Sequence, residues 1–436
     1  SRFQMLRPFD ADRPCHAVFR DPAFSQSANA QPVRSELSDM ATRRRTTICL
    51  AFAGDRLGGS HISLRGLLDA LSEHLYRIIV IVEVPDGRIA QYFSHFEQVI
   101  DPCALEEPFT VGSRFGLGST LRTVPRIAGR ARLLKELQAD IVHTNDGRSH
   151  ASWALAAKWA GAKVLWHHRG DPDARGTGFV APVLADQIVA VSEYSLPPRR
   201  WGKLKTARVI HSPFDVNLNI DRAAMRKRLV AELGCPDDTI ICCYCGQYII
   251  RKRPIKFIDA IEELAKIADR PVMGVMFGEP EDAELFAEMQ DRLASSHAGS
   301  LVRLMGYREP GHDWIAACDA LLVTALNEPL GRTLVEAMLV GTPVVATQSG
   351  GNAEALTPDC GIIVRPDDPH AMATAVLDLL GSPERCTDLV RRAQAMAKKR
   401  FSRERHVEQM TLIYRELAKE AQPAVNITDR SSLSSQ

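Results

Sequence analysis

Two carboxylates, Glu328 and Glu336, stand eight positions apart in Asn327-Glu328-Pro329-Leu330-Gly331-Arg332-Thr333-Leu334-Val335-Glu336-Ala337-Met338. A Pro and a Gly come just after the first. Good helix formers then run from Gly331 to the stop signal Gly341-Thr342-Pro343. The apolar run 319–324 reads as a buried strand, so Glu328 is expected in the turn after a strand and Glu336 on the next helix. That helix opens beside Gly331, where unpaired N–H groups and the positive dipole end suit an anion such as a diphosphate. Two carboxylates around such a site fit a ligand with phosphate in its middle and hydroxyls at both ends, the outline of a nucleotide sugar.

Other groups fall at comparable positions. The segment 245–254 follows a buried run and precedes a helix starting near Pro254; its Arg251, Lys252 and Arg253 could neutralise a departing diphosphate. The turn Gly54-Asp55-Arg56-Leu57-Gly58-Gly59-Ser60-His61 leads from the first strand into a helix expected over 62–75, and its glycines let backbone amides approach an anion. His143, His167 and His168 end two strands. They lie near Asp146 and Asp171, at spacings that match no metal-ligand set. Basic stretches occur at Arg122, Arg126, Arg130, Arg132 and Lys135, after a segment 101–118 rich in Pro, Gly and Phe, and at Arg199-Arg200-Trp201-Gly202-Lys203-Leu204-Lys205. They read as solvated surface or as contact with anionic lipid or a lipid-diphosphate acceptor.

The elements that must position these residues follow from the apolar runs. Six lie at 47–53, 78–84, 141–142, 164–166, 188–191 and 209–210; six more lie at 240–245, 272–277, 301–305, 320–323, 344–346 and 362–364. Runs without polar alternation are strands covered on both faces, and their alternation with helices means parallel sheets. Twelve strands divide into two sheets of about six. The expected organisation is an irregular tail (1–45), a first doubly wound domain (46–210), a second (211–400), a helix (401–420) and a polar tail (421–436). In such sheets ligands bind at the carboxyl ends of the strands, so the cleft between the domains is the default site.

The 436 residues are 45% hydrophobic and 25% charged, which suits a globular chain with a sizeable core. The net charge of +1 gives no global field toward nucleic acid. The ten cysteines lack paired spacing, which suggests a reducing, cytoplasmic compartment. The start of the chain has no apolar centre of a signal peptide.

Taken together, Glu-Pro-x-Gly-x4-Glu-Ala-Met, Gly-Thr-Pro-Val-Val-Ala-Thr and the following Gly-Gly resemble the signature of retaining GT-B glycosyltransferases of the family 4 type. The resemblance implies two Rossmann-like domains facing a cleft. It also implies sugar transfer from a nucleoside-diphosphate sugar to a glycan, lipid-linked or small-molecule acceptor, without metal or other cofactor, in polysaccharide biosynthesis. Contact with an anionic inner membrane face fits such acceptors. On this basis Glu336 would hold the ribose and Glu328 the transferred sugar, while Lys252, Arg251 and Gln247 would line the phosphates. Gln247 stands where the family often has Arg. Leu330, Gly331 and Arg332 would meet the donor at the helix start, Gly59 would approach its phosphate, and the backbone of Tyr307 and Arg308 would hold the base. His168, with His167 as its rival, would contact the sugar across the cleft. Glu328, Lys252 and His168 are the implied catalytic residues. A nucleotide-sugar epimerase of the same fold and a non-catalytic binding subunit are the alternatives.

Overall fold

In the computed structural model the described residues are 44–104, 117–295, 297–357 and 359–421. The expected tail through residue 43, most of the segment 101–118 and the tail from 422 lie outside them.

The first sheet is parallel throughout. Its strands are β1 (Thr46–Ala51), β2 (Tyr76–Val82), β3 (Glu97–Ile100), β4 (Ile141–Thr144), β5 (Lys163–His168), β6 (Gln187–Ala190) and β7 (Arg208–Val209), in the order β3-β2-β1-β4-β5-β6-β7. The second sheet holds β8 (Ile240–Cys245), β9 (Val272–Phe277), β10 (Val302–Gly306), β11 (Ala320–Val323), β12 (Val344–Thr347) and β13 (Ile362–Val364), in the order β10-β9-β8-β11-β12-β13. Both are doubly wound, and each reverses direction once, between β1 and β4 and between β8 and β11. Such switch points open a crevice at the strand ends.

The strand number corrects the sequence reading, which missed β3. Its residues Glu97 and Ile100 are exposed at the edge of the sheet, so β3 has no continuous buried run to signal it. The helix expected over 62–75 is also displaced. It spans Gly59–Leu68, beginning at the glycines themselves.

Continuous apolar strands fill both faces. On β1, Ile48 and Leu50 join one core cluster while Cys49 and Ala51 join another. On β8, Cys243 and Cys242 divide the same way. Successive side chains point to opposite faces, so a strand with helices on both sides has no place for alternation.

The chain passes between the lobes twice, and the two crossings touch: the Phe214 amide donates to the Phe401 carbonyl at 2.9 Å. The helix Pro383–Phe401 packs on the second lobe through Leu389, Ala393 and Ala397. The helix Arg403–Ala421 then returns to the first lobe and buries Met410, Ile413, Tyr414 and Leu417 against Ile48, Leu50 and Ile141.

Candidate active site

Three neighbouring strand ends build the acidic site. The turn after β11 carries Asn327 and Glu328, and Asn327 takes a left-handed backbone (φ 53°). The turn after β12 supports it from behind: the Gly351 amide donates to the Glu328 carbonyl at 2.6 Å, and Ser349 Oγ accepts from the Asn327 amide at 2.9 Å. Gly350, at φ +59°, lies so close that a Cβ there would stand 2.5 Å from the Glu328 nitrogen. The turn after β8 closes the third side. The Leu326 amide donates to the Arg251 carbonyl at 2.9 Å, and the Thr324 hydroxyl donates to the Lys252 carbonyl at 2.9 Å.

This framework sets the Glu328 carboxylate between two cations. Arg251 Nη1 lies 2.6 Å and Lys252 Nζ 2.9 Å from the same Oε2. Glu328 is buried. Burial alone would raise its pKa, but Lys252 and Arg251 more than offset this and hold it below the usual carboxylate range. Arg253 does not join them. It sits at φ 53° and pairs with Asp367, so the three-cation cluster expected from sequence is a pair.

The helix Arg332–Val340 starts at Gly331 without a side-chain cap and ends at Gly341 in the left-handed region (φ 77°). Its first-turn N–H groups remain available to an anion. Glu336 lies one turn in, 3.6 Å from Arg332 Nη2, and burial raises its pKa.

Arg332 reaches across to the first lobe. Its Nη1 donates to Ser63 Oγ at 2.8 Å, its guanidinium lies 4.3 Å from the Phe214 ring centroid, and its Cδ fills the space where a side chain on Gly59 would begin. Other links between the lobes are Ser192 Oγ to the Pro329 carbonyl (2.5 Å), the Glu193 amide to Glu354 Oε2 (2.8 Å), and the Arg56–Glu281 pair. Leu330 is buried under the turn, and Gln247 and Tyr307 are exposed. Arg308 stacks over Trp314 and pairs with Glu232 at 2.5 Å.

The first lobe carries His143 near the end of β4 and His167 and His168 at the end of β5. His168 Nε2 lies 2.9 Å from the Asp171 carbonyl and its Nδ1 2.9 Å from Thr177 Oγ1, so contact with a sugar requires one of these bonds to be exchanged. His167 is fully buried behind it and stacks on His143, whose Nδ1 meets the Tyr414 hydroxyl at 2.8 Å. Among the described residues no group of three or more His, Cys, Asp or Glu could hold a metal ion.

Sequence reasoning passed over Arg169. Its guanidinium donates to Asn145 Oδ1 (2.7 Å) and Ser212 Oγ (3.0 Å), with no carboxylate opposite it among the described residues. Burial, and then Arg332 nearby, lower its pKa to about 9. Only its place directly after His167 and His168 hinted at it.

Residues 225–396 match the family model for glycosyl transferases group 1. The chain is 27% identical over 314 residues to a D-inositol 3-phosphate glycosyltransferase of Xylanimonas cellulosilytica, covering 64% of this chain and 72% of that protein. It is 28% identical over 272 residues to the protein of the same description from Streptomyces avermitilis, covering 56% and 58%. For several such relatives the match spans only about half to three fifths of their length, as with 50% for the Thermobispora bispora protein. Among solved structures, Anabaena HepE in complex with UDP and glucose superposes with a TM-score of 0.71 at 21% identity, over 85% of this chain and 99% of that one. A glycosyltransferase of Rickettsia africae gives 0.69 at 18% identity, over 86% and 100%. These likenesses show the two-lobed GT-B fold.

Proposed function

We infer that this chain, a GT-B glycosyltransferase with a glycosyl transferases group 1 domain over residues 225–396, moves a sugar from a nucleoside-diphosphate sugar to an acceptor hydroxyl with retention at the anomeric carbon. The observation that carries this reading is the Glu328 carboxylate, clamped by Arg251 and Lys252 beside the uncapped helix start at Gly331.

On this reading the donor diphosphate lies on the first-turn N–H groups of the helix and against Lys252, which turns toward it from Glu328. Glu336 accepts from the ribose hydroxyls and Glu328 from those of the sugar. Arg332 steadies the two lobes across the donor, and the backbone at Tyr307 and Arg308 borders the base. The acceptor oxygen bonds to the anomeric carbon on the face from which the diphosphate leaves. The carbon–oxygen bond to phosphate breaks with its electron pair on the phosphate oxygen, which takes the acceptor proton. The products are a glycoside and a nucleoside diphosphate. Lobe closure keeps water from competing as acceptor. The reading is metal-free, since Lys252, Arg251 and the helix dipole supply the positive field.

The acceptor is read as a phosphate-bearing molecule, free or lipid-linked. Arg169, a half-buried cation whose described partners are neutral, supports this, and the relatives named for inositol 3-phosphate share that chemistry by name. A thermal-shift screen of nucleotide sugars, followed by turnover with the stabilising donor, tests the whole. One donor should raise Tm, and the product should keep the donor's anomeric configuration. An inverted product overturns retention. Activity lost to EDTA and restored by manganese overturns the metal-free version. No stabilising donor overturns the reading itself.

A further inference from the structure

We propose that the first lobe docks on an anionic lipid surface through an apolar ridge formed by Phe179, Val180, Val183 and Trp201 and ringed by cations. Docking goes beyond the transfer reading and would stand if the chain transferred nothing.

The ridge is built from two turns fixed to each other. The turn Gly176–Val180 runs directly into the short helix Ala181–Leu184, so Phe179 and Val183 fall four positions apart on one side. They are 71% and 64% exposed, and Val180 and Trp201 beside them are also exposed. The Trp201 indole N–H donates to the Gly178 carbonyl at 2.9 Å. Gly202 lies against Pro182 so closely that a Cβ would meet its carbonyl oxygen at 2.5 Å. The helix Gly147–Ala160 packs on both segments. Aromatic rings fixed on rigid turns and pointing into solvent do nothing for the core. An apolar body with its one polar group satisfied suits the boundary between headgroups and acyl chains.

The surrounding charge decides the kind of occupant. Arg175, Arg199, Lys203 and Lys205 are exposed and have no ion partner among the described residues. Of the nearby acids, Glu193 is engaged by Arg200 and Asp186 by Lys158 at 2.8 Å. Asp171 and Asp173 precede Arg175 and are exposed, and the Asp171 carbonyl meets His168 Nε2. The stretch 196–208 contains five cations and no acid: Arg199, Arg200, Lys203, Lys205 and Arg208. An exposed apolar ridge with unpaired lysines beside it is complementary to a bilayer bearing anionic headgroups. The ridge is also tied to the cleft. Thr177, two residues before Phe179, holds His168 at the end of β5, so a docked lobe would bring the cleft mouth close to lipid-borne molecules.

The test is co-sedimentation of the full chain with vesicles of phosphatidylcholine alone or mixed with phosphatidylglycerol. Binding should appear with phosphatidylglycerol, fall as salt is added, and shift Trp fluorescence to the blue. F179S/V183S and, separately, K203E/K205E should each weaken it by about tenfold or more. Both should keep the Tm and any donor-induced shift of the parent, so loss of docking is read apart from loss of transfer. The lysine pair is exposed and keeps the test open if the apolar pair misfolds. Absence of vesicle binding, or binding unchanged in K203E/K205E, overturns the proposal. Self-association abolished by F179S/V183S, without vesicle binding, would assign the ridge to a protein partner and overturn it equally.

Discussion

Glu328 and Glu336 carry the same carboxyl group in opposite electrostatic settings. Removing the charge of Glu328 leaves Arg251 and Lys252 facing a neutral amide. Glu328→Gln should therefore destabilise the fold by about 1–3 kcal/mol in urea unfolding, reduced by the solvent that reaches Arg251, and should abolish turnover. Because its folded pKa lies below the ordinary value, the contribution of Glu328 is complete above about pH 4.3. It disappears as pH falls through the lower folded value. Glu336 has the reverse sign: burial raises its pKa, so its charge opposes folding near neutrality. Glu336→Gln should leave the unliganded Tm unchanged or raised while cutting the donor-induced Tm shift. A fall in both would contradict the assignment. The type and spacing of both residues were legible in the chain. Their opposite electrostatics were not, because Lys252 and Arg251 come from a different strand end, and so does the Asp367 that draws Arg253 away.

The site depends on turns as elements as much as on side chains. Gly350 occupies a left-handed backbone against the Glu328 peptide, where any Cβ displaces that turn. Gly350→Ala should cost about 1–3 kcal/mol and reduce kcat more than a pure stability loss explains. Gly58, with extended backbone (φ −157°) and open space around it, should accept Ala with little change in Tm. Paired unfolding and kinetic measurements on the two variants check the contrast. Sequence marks both as glycine-rich strand-to-helix turns and cannot rank them, since the difference lies in what packs behind each. The same limit hid β3. An edge strand with solvated ends has no apolar run to read, whereas the central strands, covered on both faces, were plain from composition.

Across the molecule, the first lobe encloses a row of neutral histidines. His143 and His406 are held at about 3, with His150 and His167 also well below the usual range, in each case by burial first. Arg169 pushes His143, His167 and His406 further the same way. In the unfolded chain each takes up a proton near pH 6.5, while the fold does not until far lower pH. Stability should therefore decline as pH drops below about 6.5, by up to about 1.4 kcal/mol per pH unit for each histidine. Denaturant midpoints between pH 7.5 and 5 would reveal the slope, and a flat profile would mean that water reaches the row. The two-sheet plan could be read from the strand–helix rhythm. The links that join the lobes could not, since Arg332 meets Ser63 from 269 positions away.

The helix Arg403–Ala421 gives this architecture an order of assembly. Met410, Ile413, Tyr414 and Leu417 are among the last described residues to leave the ribosome, yet they complete the core around β1, the first described strand to emerge. The earlier-made lobe therefore waits, with part of its apolar surface uncovered, until residues 403–421 have been synthesised. Nascent chains stalled before residue 403 should remain protease-sensitive in the first lobe and become resistant only when the helix Arg403–Ala421 is free to dock.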